Sequence, residues 1–385
     1  MNLVAAFSAS CVVVSLVYYL AASIIALRFA SRARSAPPPL PKISPRVAVL
    51  KPLHGLSPSL PENLMTHLEL DYRRVEYVFG VSSYDDPAAD IPVALKPQYP
   101  FAQVTLAVGE SPGCCNHKVA KLIGMAERAP RAEIFVISDA DISVQREHLK
   151  RIVGELCADD KIGMVTCLYR AKPRAGFGSR LEALYVNTDF VPMVMVSSVV
   201  EPVRYGLGAT IAVKREALEA IGGFRALKDL LADDYYLGKL VSERGYEVRL
   251  SPSIVTIKND EERFADFWKR QIRWARTYRT TRPVSVATIV VHGPFWALML
   301  LLATRFNPLA LGLLAVVVGG RVLMSRLLIG RVLGLKEHRR DAWLVPLKDL
   351  IMTAVWAASL FSNEVLWGGR RLRIQSDGTM REVNG

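Results

Sequence analysis

Apolar residues follow three different rhythms along this chain. Residues 3–27 contain no charged side chain, and a helix of that length, rising about 1.5 Å per residue, crosses roughly 30 Å of hydrocarbon. Residues 46–50 (RVAVL), 75–81 (VEYVFGV), 103–108 (QVTLAV) and 134–138 (IFVIS) are instead runs of strand length, each ending in a polar or Pro/Gly loop. The intervening segments 60–70 and 116–128 suit helices. That alternation predicts a parallel sheet covered by helices, with ligands gathered at the carboxyl ends of the strands. Beyond residue 283 long apolar runs return at 284–304, 306–335 and 343–361.

The first run reads as a spanning anchor. A cleaved signal peptide is the rival, but no basic residue precedes the run and it exceeds an ordinary h-region. Arg28, Arg32 and Arg34 follow it, which by the positive-inside rule puts the N-terminus outside and the next segment in the cytoplasm. Residues 37–41 (PPPLP) form a stiff spacer. In the C-terminal part, 284–304 is a strong span. Arg321, Arg326 and Arg331 interrupt 306–335, which spans, re-enters or lies in the interface. The run 343–361 is apolar apart from the adjacent Lys348 and Asp349. A cytoplasmic domain with a cytoplasmic tail requires an even number of C-terminal spans, so either one of these runs is not a span or the tail lies outside. The run 190–200 (FVPMVMVSSVV) is too short to span and suits core packing or a lipid-facing wall. The resulting division is an anchor at 1–30, a Pro-rich linker at 31–45 and a soluble domain at 46–282. A membrane region with two to three apolar helices follows at 283–369, then a basic tail at 370–385.

Composition narrows the function class. With 385 residues, 51% of them hydrophobic, the chain has room for one soluble α/β domain of about 250 residues plus membrane segments. The formal net charge is +13, yet the basic residues flank apolar runs, as Arg276, Arg279, Arg282, Arg370, Arg371 and Arg373 do. Membrane topology explains that distribution without a nucleic-acid partner. The five cysteines are odd in number and contain no CxxC pair, which fits a reduced, cytoplasm-facing domain. Neither GxGxxG nor GxxxxGK[ST] occurs in the soluble region, so a dinucleotide site or a P-loop lacks its phosphate cradle. Gly206-Leu207-Gly208 and Gly222-Gly223 read as tight turns and close packing.

Four polar stations carry the candidate chemistry. Asp85-Asp86-Pro87 follows the second strand and Asp139-Ala140-Asp141 the fourth, both on the expected ligand edge. Mg²⁺ or Mn²⁺ prefers oxygen ligands, and a nucleoside diphosphate supplies several, so one or two protein carboxylates suffice. Taken alone, DxD is more often a turn capping a helix, here one starting near Val144. Asp233 and Asp234 open a helical stretch (DDYYLGKLVSERG), where one carboxylate suits capping and Asp234 suits a general base. Arg270, Arg273 and Trp274 share one helical face. Two guanidiniums there can hold a diphosphate beside an indole wall, although a solvated juxtamembrane basic helix gives the same pattern. Lys118 meets a phosphate at a helix start or simply faces solvent. Zinc at Cys114, Cys115 and His117 is disfavoured by the spacing.

As a set, residues 50–55 (LKPLHG), 69–72 (ELDY), 84–88 (YDDPA), Asn116 with Lys118, Ser138-Asp139, 232–235 (ADDY) and Arg270 with Arg273-Trp274 resemble the ceramide glucosyltransferases of glycosyltransferase family 21. Bacterial relatives, including hopanoid-associated glycosyltransferases, share the likeness, which runs from about residue 46 to 280. The resemblance implies an α/β GT-A fold with a Rossmann-like, mostly parallel sheet between N- and C-terminal transmembrane helices. It implies an inverting enzyme that moves a sugar, glucose in the ceramide enzymes, from a UDP-sugar to the primary hydroxyl of a membrane lipid. Asp86 then lies near the nucleotide, Asp139 at the metal and diphosphate with Asp141 beside it, and Asp234 acts as base. Lys118, Arg270, Arg273 and Trp274 complete the donor site. Such an enzyme is an integral membrane protein with its catalytic domain on the cytoplasmic face, the inner membrane in a bacterium. His117 stands where many ceramide enzymes have Pro and Ala120-Lys121 where paired Asn are common, so hopanoid-lipid N-acetylglucosaminyl transfer stays open. A non-catalytic nucleotide-sugar-binding membrane protein is the alternative of another class. A processive polysaccharide synthase would need more C-terminal spans.

Overall fold

The computed structural model describes residues 3–259, 263–367 and 369–383. Its main sheet contains β1 (Val47–Pro52), β2 (Val75–Val81), β3 (Gln103–Val108), β4 (Ile134–Ser138), β5 (Ile142–Ser143), β6 (Ile162–Pro173), β7 (Thr210–Lys214) and β8 (Glu247–Asn259). The strand order is β3-β2-β1-β4-β7-β6-β8-β5. β3, β2, β1 and β4 run parallel, β7 is inserted antiparallel, and β6 and β8 pair parallel beyond it. β1 and β4 are buried along their whole length, because helices cover both faces of the sheet and apolar side chains are needed on each. Val47, Val49 and Val136 enter one core and Ala48, Leu50, Phe135 and Ile137 the other. β2, β3 and β4 coincide with the apolar runs that announced them. β1 extends to Pro52 and thereby includes Lys51, whose side chain is wholly buried.

Three helices are long and apolar enough to cross a membrane: Leu3–Ala33, Phe177–Val200 and Pro308–Val332. The run at 190–200 thus continues a helix that begins at Phe177. Asn187, Thr188 and Asp189 hide that continuity from a hydropathy reading, and a π turn at Val186–Phe190 accommodates them. Much of this helix is buried inside the protein. The segment 284–304 departs from a straight span. It forms a 3₁₀ stretch, Pro283–Val291, and a helix, Gly293–Ala303, bent by 58°. Pro294 disfavours helical geometry at the residue before it, and Gly293 lies so close to the first helix that an added Cβ would come within 2.4 Å of the Tyr19 hydroxyl. The run 343–361 yields a helix of 15 residues, Val345–Ser359, too short to cross roughly 30 Å at about 1.5 Å per residue.

The stretch expected as a basic tail is folded. β9 (Glu364–Trp367), β10 (Arg370–Ile374) and β11 (Met380–Glu382) make a separate antiparallel sheet. Met380 donates its backbone N–H to Asp229 of the main domain at 2.8 Å. The tail thus packs on the main domain, and an even number of C-terminal spans follows if the bent pair and Pro308–Val332 both cross the membrane.

Four charges, of which Arg321, Lys348 and Asp349 are buried and Asp189 half-buried, tie these helices to the domain. Arg321 donates to Asp349 at 2.8 and 3.1 Å, to Asp189 at 2.7 Å and to the Thr188 carbonyl at 2.9 Å. Lys348 pairs with Asp349 at 2.5 Å and also with Asp189. The guanidinium centre lies 5.6 Å from the Tyr19 ring centroid, which brings the first helix into the same cluster. Charge sums to zero within the quartet, and each carboxylate meets both cations. Removing one member leaves an uncompensated buried charge, which costs about 3–5 kcal/mol. Arg321→Met is therefore expected to lower the thermal unfolding midpoint of the detergent-purified protein strongly. Arg321→Met with Asp349→Leu, which leaves a neutral Asp189–Lys348 pair, should lose clearly less. Equal losses would contradict this reading of the quartet.

Candidate active site

The carboxyl end of β4 opens on a cavity of about 960 Å³. Asp139 follows β4 directly. Its Oδ1 accepts from Lys118 Nζ at 2.7 Å, and the same ammonium reaches Asp233 Oδ2 at 3.3 Å. Lys118 is brought there by the helix His117–Glu127, whose first turn is capped by Asn116, with Oδ1 accepting from Lys118 and Val119 N–H. Asn116 Nδ2 also donates to the Leu230 carbonyl at 2.8 Å, linking this turn to the segment before Asp233. Burial works against the charge on Lys118, but Asp139, Asp233 and Asp234 outweigh it and raise the pKa. Lys118 is thus a cation shared among carboxylates rather than a solvent-facing side chain.

Asp233 and Asp234 occupy the first turn of the helix Asp233–Glu243. Asp233 is engaged by Lys118 and by Asn116, while Asp234 Oδ1 accepts from Tyr235 N–H at 2.8 Å. Burial and the adjacent Asp233 push the Asp234 carboxyl up to about 6, and Lys118 opposes them. Gly208 lies between the two working carboxylates: an added Cβ would stand 3.0 Å from Asp234 Oδ2 and 3.4 Å from Asp139 Oδ2. Gly206 is required for a different reason, since its Cβ would come within 2.5 Å of the Asp234 carbonyl. The expected close packing at Gly206-Leu207-Gly208 therefore shapes the site itself.

Asp141 also lines the cavity. It is open to it, yet the surrounding protein disfavours its charge, and with Asp139 pushes it up to about 6. Neither Asp139 nor Asp141 caps a helix, because the next one begins at His148 with Glu147 at its cap. Beneath this loop, Lys51 donates to the Asp139 carbonyl at 2.7 Å and to Ser138 Oγ at 3.3 Å, with His67 Nε2 at 3.5 Å. Burial drives Lys51 down to about 7 against the pull of Asp141 and Asp139. A lone lysine inside the apolar strand VAVLKP was the available signal for this support. Chemical motifs alone did not single it out.

Arg270, Arg273 and Trp274 line the same cavity from the helix Phe264–Thr281, so the shared face is used together. Arg270 donates to the buried Glu182 at 2.8 Å, an acid for which sequence pattern gave no cue. Burial lowers the Arg273 pKa, with Arg270 adding repulsion, so an anion would be favoured beside it. Asp86 is not among the lining residues. Its carboxylate accepts from Gly55 N–H at 2.9 Å and Ala88 N–H at 3.0 Å and pairs with His54 at 3.1 Å. Burial raises its pKa, but these donors overcome that and lower it overall. The cavity is also lined by Tyr18, Tyr19, Val194, Val291, Met352 and Val355, and by Asp189, Arg321 and Asp349 of the charged quartet. One space therefore joins the sheet-edge carboxylates and guanidiniums to apolar side chains of the candidate membrane helices and their neighbours.

The profile of glycosyl transferase family 21 matches residues 8–380. The chain belongs to glycosyl transferase family 21. Over 232 residues it is 25% identical to ceramide glucosyltransferase 3 of Caenorhabditis elegans, covering 60% of this chain and 50% of that protein. Over 239 residues it is 24% identical to the probable glycosyltransferase YdaM of Bacillus subtilis, covering 60% and 55%. The chain spans about half the length of the curated relatives it matches. Among solved structures, the mannosyltransferase PcManGT from Pyrobaculum calidifontis, in complex with GDP-Man and Mn²⁺, aligns with a TM-score of 0.55 at 22% identity. That alignment covers 93% of this chain and 99% of the other. The fold is of the GT-A type.

In this family 21 chain, Lys118 is the cation that separates three carboxylates. Lys118→Met should therefore lower the thermal unfolding midpoint more at pH 8 than at pH 5. At pH 8 the charge on Asp234 is left without its cation beside two further carboxyl groups. Lys118 holds the Asp234 pKa down to about 6, so in the variant the carboxyl takes up its proton at a higher pH and the repulsion has eased by pH 5. A loss independent of pH would contradict the assignment.

Proposed function

We propose that the protein transfers a sugar, glucose, from a UDP-sugar to the primary hydroxyl of a membrane lipid, with inversion at the anomeric carbon. The observation that carries this reading is one cavity of about 960 Å³ lined both by the sheet-edge carboxylates with Arg270 and Arg273 and by apolar residues such as Tyr18, Val194 and Val355. A donor diphosphate suits the first group and an acyl-chain lipid the second. The names of the relatives, two of them ceramide glucosyltransferases, support glucose and a sphingoid-type acceptor.

Asp234 takes the base role. It lines the cavity, its pKa of about 6 leaves it charged but basic near neutrality, and its Oδ2 borders the gap kept open by Gly208. The acceptor oxygen attacks the anomeric carbon as its proton passes to Asp234, and the bond to the diphosphate oxygen breaks on the opposite face. Arg270 and Arg273 meet the charge left on UDP. Trp274 forms a wall against sugar or lipid, and Lys118 a second cation near the phosphates. Asp86, outside the cavity wall, acts by fixing the loop at Gly55 beside the nucleotide end.

Mg²⁺ or Mn²⁺ requires hard oxygen donors that leave positions open for a diphosphate. Among the described residues no group of three His, Cys, Asp or Glu converges on one point. Asp139 and Asp141 nevertheless supply hard oxygens at one cavity wall, and the gap at Gly208 leaves room between Asp139 and Asp234. Two carboxylates fit an ion that shares its remaining positions with a diphosphate and water. Such an ion would neutralise charge on the leaving diphosphate.

With the wild-type protein in native membranes, UDP-glucose and a lipid acceptor, turnover should rise with pH through about 6, because the base works only when deprotonated. Asp234→Asn should lower turnover by about 100-fold or more with donor binding retained. Unchanged turnover in that variant would remove Asp234 from the base role.

A further inference from the structure

The C-terminal sheet lies far along the chain from the candidate base, yet it is built onto the segment that carries it. Val365, Leu372, Ile374 and Met380 close over Leu231, with Cys115 and Trp367 at the margin. Backbone pairing reinforces that contact. Met380 N–H donates to Asp229 at 2.8 Å, Leu231 N–H donates to Gly378 at 3.4 Å, and Leu230 bridges Thr379 in antiparallel fashion. Just after Asp234, the Tyr236 hydroxyl donates to the Asp377 carbonyl at 2.9 Å. Gly378, at φ +85°, fits there because a Cβ would meet the Tyr236 hydroxyl at 1.9 Å. Asp234 is thus bracketed in sequence by tail contacts at Leu231 and Tyr236.

The same tail grips the Arg–Trp helix. Arg279 donates to the Ser362 carbonyl at 2.9 Å, and Arg276 donates to the Glu364 carbonyl. Trp367 lines the cavity. The segment 228–232 is a loop outside the main sheet, so without the tail its backbone would lose its only strand-like pairing among the described residues.

We propose that the C-terminal sheet is a positioning clamp, which fixes the first turn of the helix Asp233–Glu243 relative to the helix bearing Arg270 and Arg273. Trp367 closes the cavity wall between them. The proposal rests on the reading of Asp234 as base. Base and leaving group must keep one relative geometry for in-line displacement, and a misplacement of about 1 Å can cost about 100-fold in rate. The clamp acts on the chemical step more than on donor capture, because Asp139 and Asp141 follow β4 independently of the tail and the charge that Arg270 and Arg273 meet grows as the bond to the diphosphate breaks.

The test compares Met380→Asp, Met380→Leu and Tyr236→Phe in full-length protein in membranes, with UDP-glucose and lipid acceptor. Met380→Asp puts a charge into the apolar face of the sheet, and Tyr236→Phe removes one hydroxyl only. Met380→Asp should lower kcat by about 30-fold with the KM for UDP-glucose within about twofold, and Tyr236→Phe should lower kcat by about threefold. Met380→Leu should restore wild-type kcat. Wild-type kcat in both disruptive variants, or a rise in the KM for UDP-glucose larger than the fall in kcat, would overturn the clamp. Asp234→Asn is assayed alongside. If it is inactive while the tail variants are unaffected, the clamp alone fails; if it turns over normally, the base reading fails and the clamp with it.

Discussion

A charge buried among apolar helices must be neutralised where it lies, and that constraint organises this protein. Arg321, Lys348, Asp189 and Asp349 come from three separate segments, and each satisfies the others. Asp189 belongs to the π turn that runs on from the catalytic domain, whereas the other three belong to the C-terminal helices. Their mutual pairing therefore pins a GT-A domain to a membrane bundle in one orientation. Moving either part alone would separate charges in a low-dielectric setting, at a cost of several kcal/mol. The single cavity that runs from the carboxylates to Tyr18 and Tyr19 exists because of that docking.

The two charged clusters differ in a way that matches their places. The membrane quartet is closed and sums to zero. At the sheet edge, Asp139, Asp141, Asp233 and Asp234 outnumber the shared Lys118, and Arg273 is buried near like charge. Burial, with that imbalance added, pushes Asp234 and Asp141 up to about 6, so their protonation responds to whatever enters. A stable fold can carry such a site only where rigid elements hold it. β4, the capped helix His117–Glu127 and the Lys51–Ser138–His67 contacts beneath supply that rigidity.

Much of this was legible in the sequence because it rests on local periodicity. The strands at 75–81, 103–108 and 134–138 and the helix opening at Asp233 follow from apolar runs and turn residues, and the Arg270/Arg273/Trp274 face from helical spacing. What escaped depends on contacts between distant segments. The bend at His292 comes from tight packing of Gly293 on the first helix, which hydropathy cannot register. Arg321 read as an interruption of a span because its partners Asp189 and Asp349 lie 132 and 28 residues away. The segment 370–385 read only as a basic tail because its apolar positions, Leu372, Ile374 and Met380, are too few to signal a sheet until Leu231 covers them. Asp86 was plain as an acidic motif, whereas the turn that its carboxylate holds through Gly55 and Ala88 N–H shows only in the fold.

The central claim is that sugar donor and membrane lipid react inside one cavity. It is tested most directly by the mass of the product formed when the purified protein, in liposomes containing ceramide, hopanoid or diacylglycerol, is given UDP-glucose or UDP-N-acetylglucosamine. The cavity predicts a lipid heavier by a single sugar residue, released with one UDP per lipid modified. Free sugar without glycolipid, or a sugar polymer unattached to lipid, would contradict it.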